Sequence, residues 1–172
     1  PEMVDSFLAP PNGLLAEHTE SNPEFRNNLD PRIKAGVAVG PWGMNHGLWR
    51  PEGLAGITVP TFYIAGSADT VSGYANGTRA IFEGAVNSDR YLLTFKNAGH
   101  NAAAPIPVPV EVQFSEGQIG SAHYTDPVWD NVRMNNIMDH FVTAYFDYHL
   151  KGDTTKLDYF DLPLDKHFGQ RR

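Results

Sequence analysis

Three short runs of apolar, β-forming residues along the chain predict three strands. The first covers 33–40 and stops at the tetrapeptide GPWG, residues 40–43, a cluster that breaks regular structure. The second, 59–66, is almost continuously apolar and ends at Gly66, which is typical of a strand buried on both faces. The third covers 90–95.

Two stretches carry apolar residues at helical spacing. One runs from Tyr74 to Asn87, between the second and third strands, and the order strand, helix, strand predicts a parallel pair with a right-handed crossover. The other predicts a long helix that ends near Gly152. Its single apolar stripe is formed by Met134, Ile137, Met138, Phe141, Tyr145 and Tyr148.

The remaining segments show no clear period. We expect loops with at most one short helix in 1–28, a proline-rich surface excursion rather than a regular element in 104–128, and a polar tail in 153–172 anchored by Leu162 and Leu164. The fold class is therefore α/β, a mostly parallel sheet flanked by helices, with its core in 30–152. Because a parallel sheet needs cover on both faces, we expect the N-terminal half of the fold to be a separate or cleaved segment.

Composition narrows the range of partners. Of the 172 residues, 41% are hydrophobic, enough for a real core. A net charge of −7 disfavours nucleic acid as a partner, and no apolar stretch is long enough for a membrane span. A small, neutral or modestly polar molecule is a better candidate for the partner than nucleic acid. The chain has no cysteine, so a nucleophilic side chain would have to attack through an oxygen atom. The cellular compartment stays open.

Candidate chemistry lies where two of the predicted strands end. Asp69 follows the second strand in the sequence GSADT, and His100 follows the third in NAGHN. Because the carboxyl ends of neighbouring parallel strands meet at one edge of a sheet, we expect these side chains to lie close together. An aspartate that accepts from histidine Nδ1–H fixes the tautomer and leaves Nε2 free to take a proton from a nucleophile.

With these motifs in this order, the chain resembles the α/β-hydrolases, and among them the dienelactone hydrolase and platelet-activating-factor acetylhydrolase type of small esterase. The resemblance covers roughly 30–152 and rests on GPWG, on VP leading into a strand that ends GSAD, on the AGH turn, and on YFDYHLKG at the end of the long helix. It implies that 1–172 is the C-terminal part of a single α/β-hydrolase domain acting on carboxylic esters, with Asp69 as triad acid and His100 as general base. The family order is Ser, Asp, His, yet no Gly-x-Ser-x-Gly occurs here. The nucleophile would then lie upstream of Pro1, and this chain alone would be inactive.

Other interpretations of the same residues stay open. Asp69 would also serve as a helix cap, and His100 as a turn residue with no catalytic task. Trp42 and His46, in the loop after the first strand, are candidate substrate-binding residues, with core packing and a plain surface position as their alternatives. His140 and His149 lie off the apolar stripe, and we expect both to be solvated.

Two other functions also remain open. A serine peptidase of the prolyl-oligopeptidase type shares the fold and a similar terminal helix, and a non-catalytic or degenerate hydrolase subunit would use the fold for binding. Seven histidines raise the question of a metal, but no His-x-x-x-His or His-x-His pair occurs. We therefore expect neither a metal site nor a cofactor.

Overall fold

A parallel sheet forms the centre of the fold. A computed structural model describes residues 22–24, 30–104, 108–113 and 119–161. Within these residues the sheet has three strands in the order β1 (Gly36–Val39), β2 (Thr61–Gly66) and β3 (Arg90–Phe95), all parallel. The predicted strands and their pairing are confirmed. β1 starts later than predicted because Asp30 closes a turn before it, accepting hydrogen bonds from the Arg32 amide and guanidinium at 2.9 Å.

One face of the sheet packs against the long helix α5 (Asn131–Lys151), which confirms the predicted helix. Asp130 caps its start by accepting from the Arg133 N–H at 2.8 Å, and Gly152 ends it with a φ of +73°. The core between helix and sheet is built on buried Phe62, Ile64, Met134 and Tyr145. Each such side chain contributes roughly 1.5–3 kcal/mol by leaving water. No helix among the described residues, α5 included, combines the length and apolar character that a membrane crossing needs.

The opposite face of the sheet is covered by two short helices, α1 (Pro51–Leu54) and α2 (Arg79–Gly84). They form a second, smaller cluster with the middle strand, made of Leu54, Tyr63, Ile81 and Ala85. β2 thus sends Phe62 and Ile64 to one cluster and Tyr63 to the other. Its burial on both faces is as the continuous apolar run predicts.

The helix predicted between β2 and β3 forms in two parts. A π-type turn, Tyr74–Thr78, precedes α2, and Gly77 inside it has non-helical angles, φ −121° and ψ −109°. A methyl group at Gly77 would overlap the carbonyl group of Ser72. The close approach of these two backbone segments leaves no mark on the spacing of apolar residues, so the sequence does not reveal the break.

Several helical turns lie where the sequence predicts no element. Inside 104–128 the structure forms α3 (Val110–Gln113) and α4 (Ile119–Ala122), so the prediction of no regular element there is wrong at these turns. Two 3₁₀ turns, Met44–His46 and Thr154–Tyr159, and α1 were also missed. Single turns are too short to show a period. The predictions for 1–28, apart from a turn at 23–24, and for Leu162 and Leu164 lie outside the described residues.

β1 is an edge strand of the sheet in the part of the chain that the structure describes. The N–H of Gly36 donates to the Pro60 carbonyl, and the N–H of Gly40 donates to the Ile64 carbonyl. Backbone groups alternate in direction along a strand, so Val37 and Val39 turn their N–H and C=O groups away from β2.

Candidate active site

The loops that leave β2 and β3 are joined to each other by backbone contacts. The N–H of Ser67 donates to the Phe95 carbonyl, and the N–H of Ala68 donates to the Ala98 carbonyl, both at 2.9 Å. The N–H of Asn97, a residue with a φ of +62°, donates to Ser67 Oγ at 2.7 Å. The two loops therefore lie side by side at the carboxyl edge of the sheet, where the topology predicts candidate chemistry.

Asp69 and His100 meet at this edge. Asp69 Oδ2 lies 3.0 Å from His100 Nδ1, and the Asp69 side chain is only 1% exposed. Its other oxygen, Oδ1, accepts from the N–H groups of Val71 at 2.8 Å and Ser72 at 3.0 Å. Because a carboxylate group accepts hydrogen bonds, this contact fits the tautomer of His100 that carries its hydrogen on Nδ1.

The helix-cap interpretation of Asp69 is wrong for a regular helix. The next helical segment begins after Gly73 and has no side-chain cap. Asp69 instead closes a turn with Oδ1 and holds the histidine with Oδ2. One carboxylate therefore has a local structural task and a long-range contact at the same time.

His100 presents its second nitrogen outward. Its side chain is 35% exposed, and no described residue forms a hydrogen bond with Nε2. With the proton on Nδ1, Nε2 is a free acceptor. The ring lies against Gly40, whose φ is +53°, and a methyl group there would lie 3.3 Å from His100 Cε1. Glycine at position 40 thus allows both the left-handed backbone and the close approach of the ring.

Ser72 is a site residue that the sequence analysis missed. It is fully buried, and its Oγ donates to the Gly40 carbonyl at 2.7 Å while its N–H donates to Asp69. Ser72 therefore connects the loop after β1 to Asp69. The sequence carries no signal for this role, because a serine in a polar loop looks the same whether it is buried or exposed.

Trp42 and His46 lie together on the loop after β1, with ring centroids 4.6 Å apart. The Trp42 carbonyl accepts from Trp49 Nε1 at 3.0 Å. Trp42 borders an open, mostly apolar cavity of about 250 Å³ that it shares with Trp49 and Tyr63; His46 is not among its lining residues. Among the described residues, no hydrogen bond or ring contact links Trp42 or His46 to the Asp69–His100 pair.

His149 lies in a separate environment, at the opposite end of β3 from His100. Its side chain is 8% exposed and packs against the rings of Tyr91 and Tyr145. Burial lowers the pKa of His149 below its ordinary value, opposed by the Asp89 carboxylate, which lies 3.9 Å from Nε2. The expectation that His149 is solvated is wrong, because the last turns of α5 lie over β3. His140, as expected, is exposed.

The part of the chain that the structure describes contains no group of three or more His, Cys, Asp or Glu side chains that could hold a metal ion. A scan against protein-family models finds no match to this chain, and a search of curated proteins finds none either. The inference of function therefore starts from the geometry of the Asp69–His100 pair.

Proposed function

We propose that this chain carries the acid and the base of a Ser-His-Asp triad, in a serine hydrolase of the α/β-hydrolase type that acts on carboxylic esters. The observation that supports this most is the 3.0 Å contact between His100 Nδ1 and a buried Asp69 carboxylate. A histidine held in this way has one nitrogen fixed and the other available.

In the proposed reaction, His100 Nε2 accepts the proton of a serine hydroxyl as its oxygen attacks the ester carbonyl. His100 then gives the proton to the departing alkoxide, and the same cycle with water releases the acid. Asp69 keeps Nδ1–H in place and stabilises the imidazolium that forms. The net charge of −7 disfavours an anionic substrate, and we take a small, uncharged ester as the substrate class.

The nucleophile would come from a segment outside these 172 residues. Ser67, Ser72 and Ser88 use their hydroxyl groups in contacts with Asn97, Gly40 and Val59, and none of the chain's serines lies in Gly-x-Ser-x-Gly. We infer that the N-terminal half of the same fold supplies it.

Among the described residues β1 has no strand on its outer side, and this edge is where such a segment would join the sheet. Val37 and Val39 turn their backbone groups away from β2, and the side chain of Val39 is largely exposed. A parallel strand added here would end beside Gly40, the residue in contact with the His100 ring. A nucleophile in the loop after that strand would therefore lie close to Nε2.

The test is to label the native protein, purified with whatever polypeptide accompanies this chain, with a fluorophosphonate probe. We expect the label on a serine outside 1–172. Replacing His100 by Ala should lower the labelling rate and ester turnover by about 10⁴-fold or more, because the serine loses its base.

The matched control is His140→Ala, which removes an exposed histidine on α5 and should leave labelling unchanged. Unchanged labelling in His100→Ala, or a label on a serine of this chain, would contradict the proposal. A native protein that takes up no label would favour a binding role instead. Faster turnover of peptides than of esters would indicate a peptidase.

A further inference from the structure

The turn that carries His100 is held from outside the sheet by the segment 122–131. Gly99, the residue before the histidine, donates its N–H to Asp126 Oδ2 at 2.7 Å. Asn101, the residue after it, donates its side-chain amide to the Ala122 carbonyl at 2.6 Å. The residues on both sides of the histidine are therefore hydrogen-bonded to the same segment, which is distant in sequence.

The Asp126 carboxylate is itself fixed in place. Its Oδ1 accepts from the N–H groups of Val128 at 2.9 Å and Trp129 at 2.8 Å, and the N–H of Asp126 donates to Asn131 Oδ1 at 3.1 Å. Trp129 Nε1 donates to the carbonyl of Lys96, at the start of the same turn. Asp126 thus connects the first residues of α5 to the backbone beside His100.

We propose that Asp126 is a positioning residue for His100. The side chain of His100 is anchored by a single hydrogen bond, to Asp69, so the direction of its ring also depends on the backbone at 99–101. A hydrogen bond from a backbone N–H to a carboxylate is stronger than one to a neutral acceptor, which suits it to holding that backbone. The inference rests on the proposed function, in which the direction of Nε2 decides whether a serine can be deprotonated.

The test uses Asp126→Asn, which separates positioning from local folding. The amide oxygen of Asn can still accept from the two N–H groups of Val128 and Trp129, so it keeps that orientation. The NH₂ group of Asn then faces the Gly99 N–H, and two donors cannot form a hydrogen bond with each other. We expect the nitrogen-15 and Nδ1–H signals of His100 to shift in NMR spectra of the full chain. Exchange of the Nδ1 proton with water should accelerate by up to about tenfold, because losing the charge-assisted bond between Gly99 and Asp126 lets the contact of Nδ1 with Asp69 open more often.

The matched control is Asp130→Ala, four residues further on. Asp130 caps α5 by accepting from the Arg133 N–H but has no bond to the histidine turn, so this variant should lower the melting temperature and leave the His100 signals unchanged. Unchanged His100 signals in Asp126→Asn, or equal shifts in Asp130→Ala, would overturn the positioning role while leaving the proposed function intact. A wild-type chain with no bonded Nδ1–H signal from His100 would overturn both.

Discussion

Gly66 is the last residue of β2. Adding a single methyl group at this position should move His100 away from Asp69. A Cβ atom at this position would lie 2.6 Å from the carbonyl carbon of Ala98, and the carbonyl oxygens of Ala98 and Gly99 would be closer still. All of these atoms belong to the backbone of the turn that carries His100. Gly66→Ala therefore cannot be accommodated by a side-chain rotation, and the turn itself has to move.

The size of the movement follows from ordinary contact distances. Non-bonded carbon atoms are at their best separation at about 3.5–4.0 Å, so the turn has to retreat by about 1 Å. That shift would stretch the 3.0 Å contact between Asp69 and His100 beyond hydrogen-bond range. Overpacking and the lost charge-assisted bond together should lower the free energy of unfolding by about 2–4 kcal/mol. In the proposed hydrolase, a displacement of about 1 Å at His100 should cost roughly 100-fold in turnover.

The assay is urea denaturation of the wild type, Gly66→Ala and Gly53→Ala, together with NMR of the His100 ring nitrogens. Gly53 is the matched control, because it lies in α1 with open space around its Cα atom. There the same substitution should be neutral or should stabilise the fold by up to about 1 kcal/mol. If Gly66→Ala is as stable as Gly53→Ala and leaves the His100 signals unchanged, the reasoning about this close contact is wrong.

Two further predictions concern buried polar groups. Ser72→Ala leaves the Gly40 carbonyl without the 2.7 Å bond it accepts, and should lower the free energy of unfolding by about 1–3 kcal/mol in urea denaturation; no loss would mean that water replaces the hydroxyl group. Burial lowers the pKa of His149 in the folded state below the ordinary value of about 6.5 that applies to the unfolded chain, so protonation favours unfolding. Stability should therefore fall as the pH drops below about 6.5, by about 1.4 kcal/mol for each unit of pKa depression. His149→Phe should reduce that slope, and an unchanged slope would assign it to other groups.

The fold was predictable from the sequence where burial leaves a pattern along the chain. β3 has the predicted bounds, and β2 differs from its prediction only at the two residues before Thr61. α5 was recognisable from its apolar stripe and from Gly152 at its end. In each case one face or both faces are buried over several residues, which is what a periodic signal needs.

The rest was not predictable, because it depends on contacts between distant segments. Gly77, where the helix breaks, lies close to the Ser72 carbonyl, and His149 is packed against Tyr91 on β3. From the sequence, Asp126 is an ordinary turn residue before a proline, and nothing in the sequence indicates its hydrogen bond with Gly99. The sequence could thus indicate Asp69 and His100, which follow strands, but not the residues that hold them.

The surroundings of His100 also bear on whether a structural role would account for it. A histidine that only stabilises a turn gains free energy from each hydrogen bond that its ring nitrogens form with the protein. Here the Nδ1 side is held by the buried Asp69 carboxylate, the ring rests on Gly40, and the backbone is bonded to Asp126 at Gly99. All of these contacts fix the direction of a ring whose Nε2 has no hydrogen-bond partner among the described residues. Such an arrangement fixes the direction of the ring and leaves Nε2 as an acceptor, which suits a base prepared for a proton that arrives from another group.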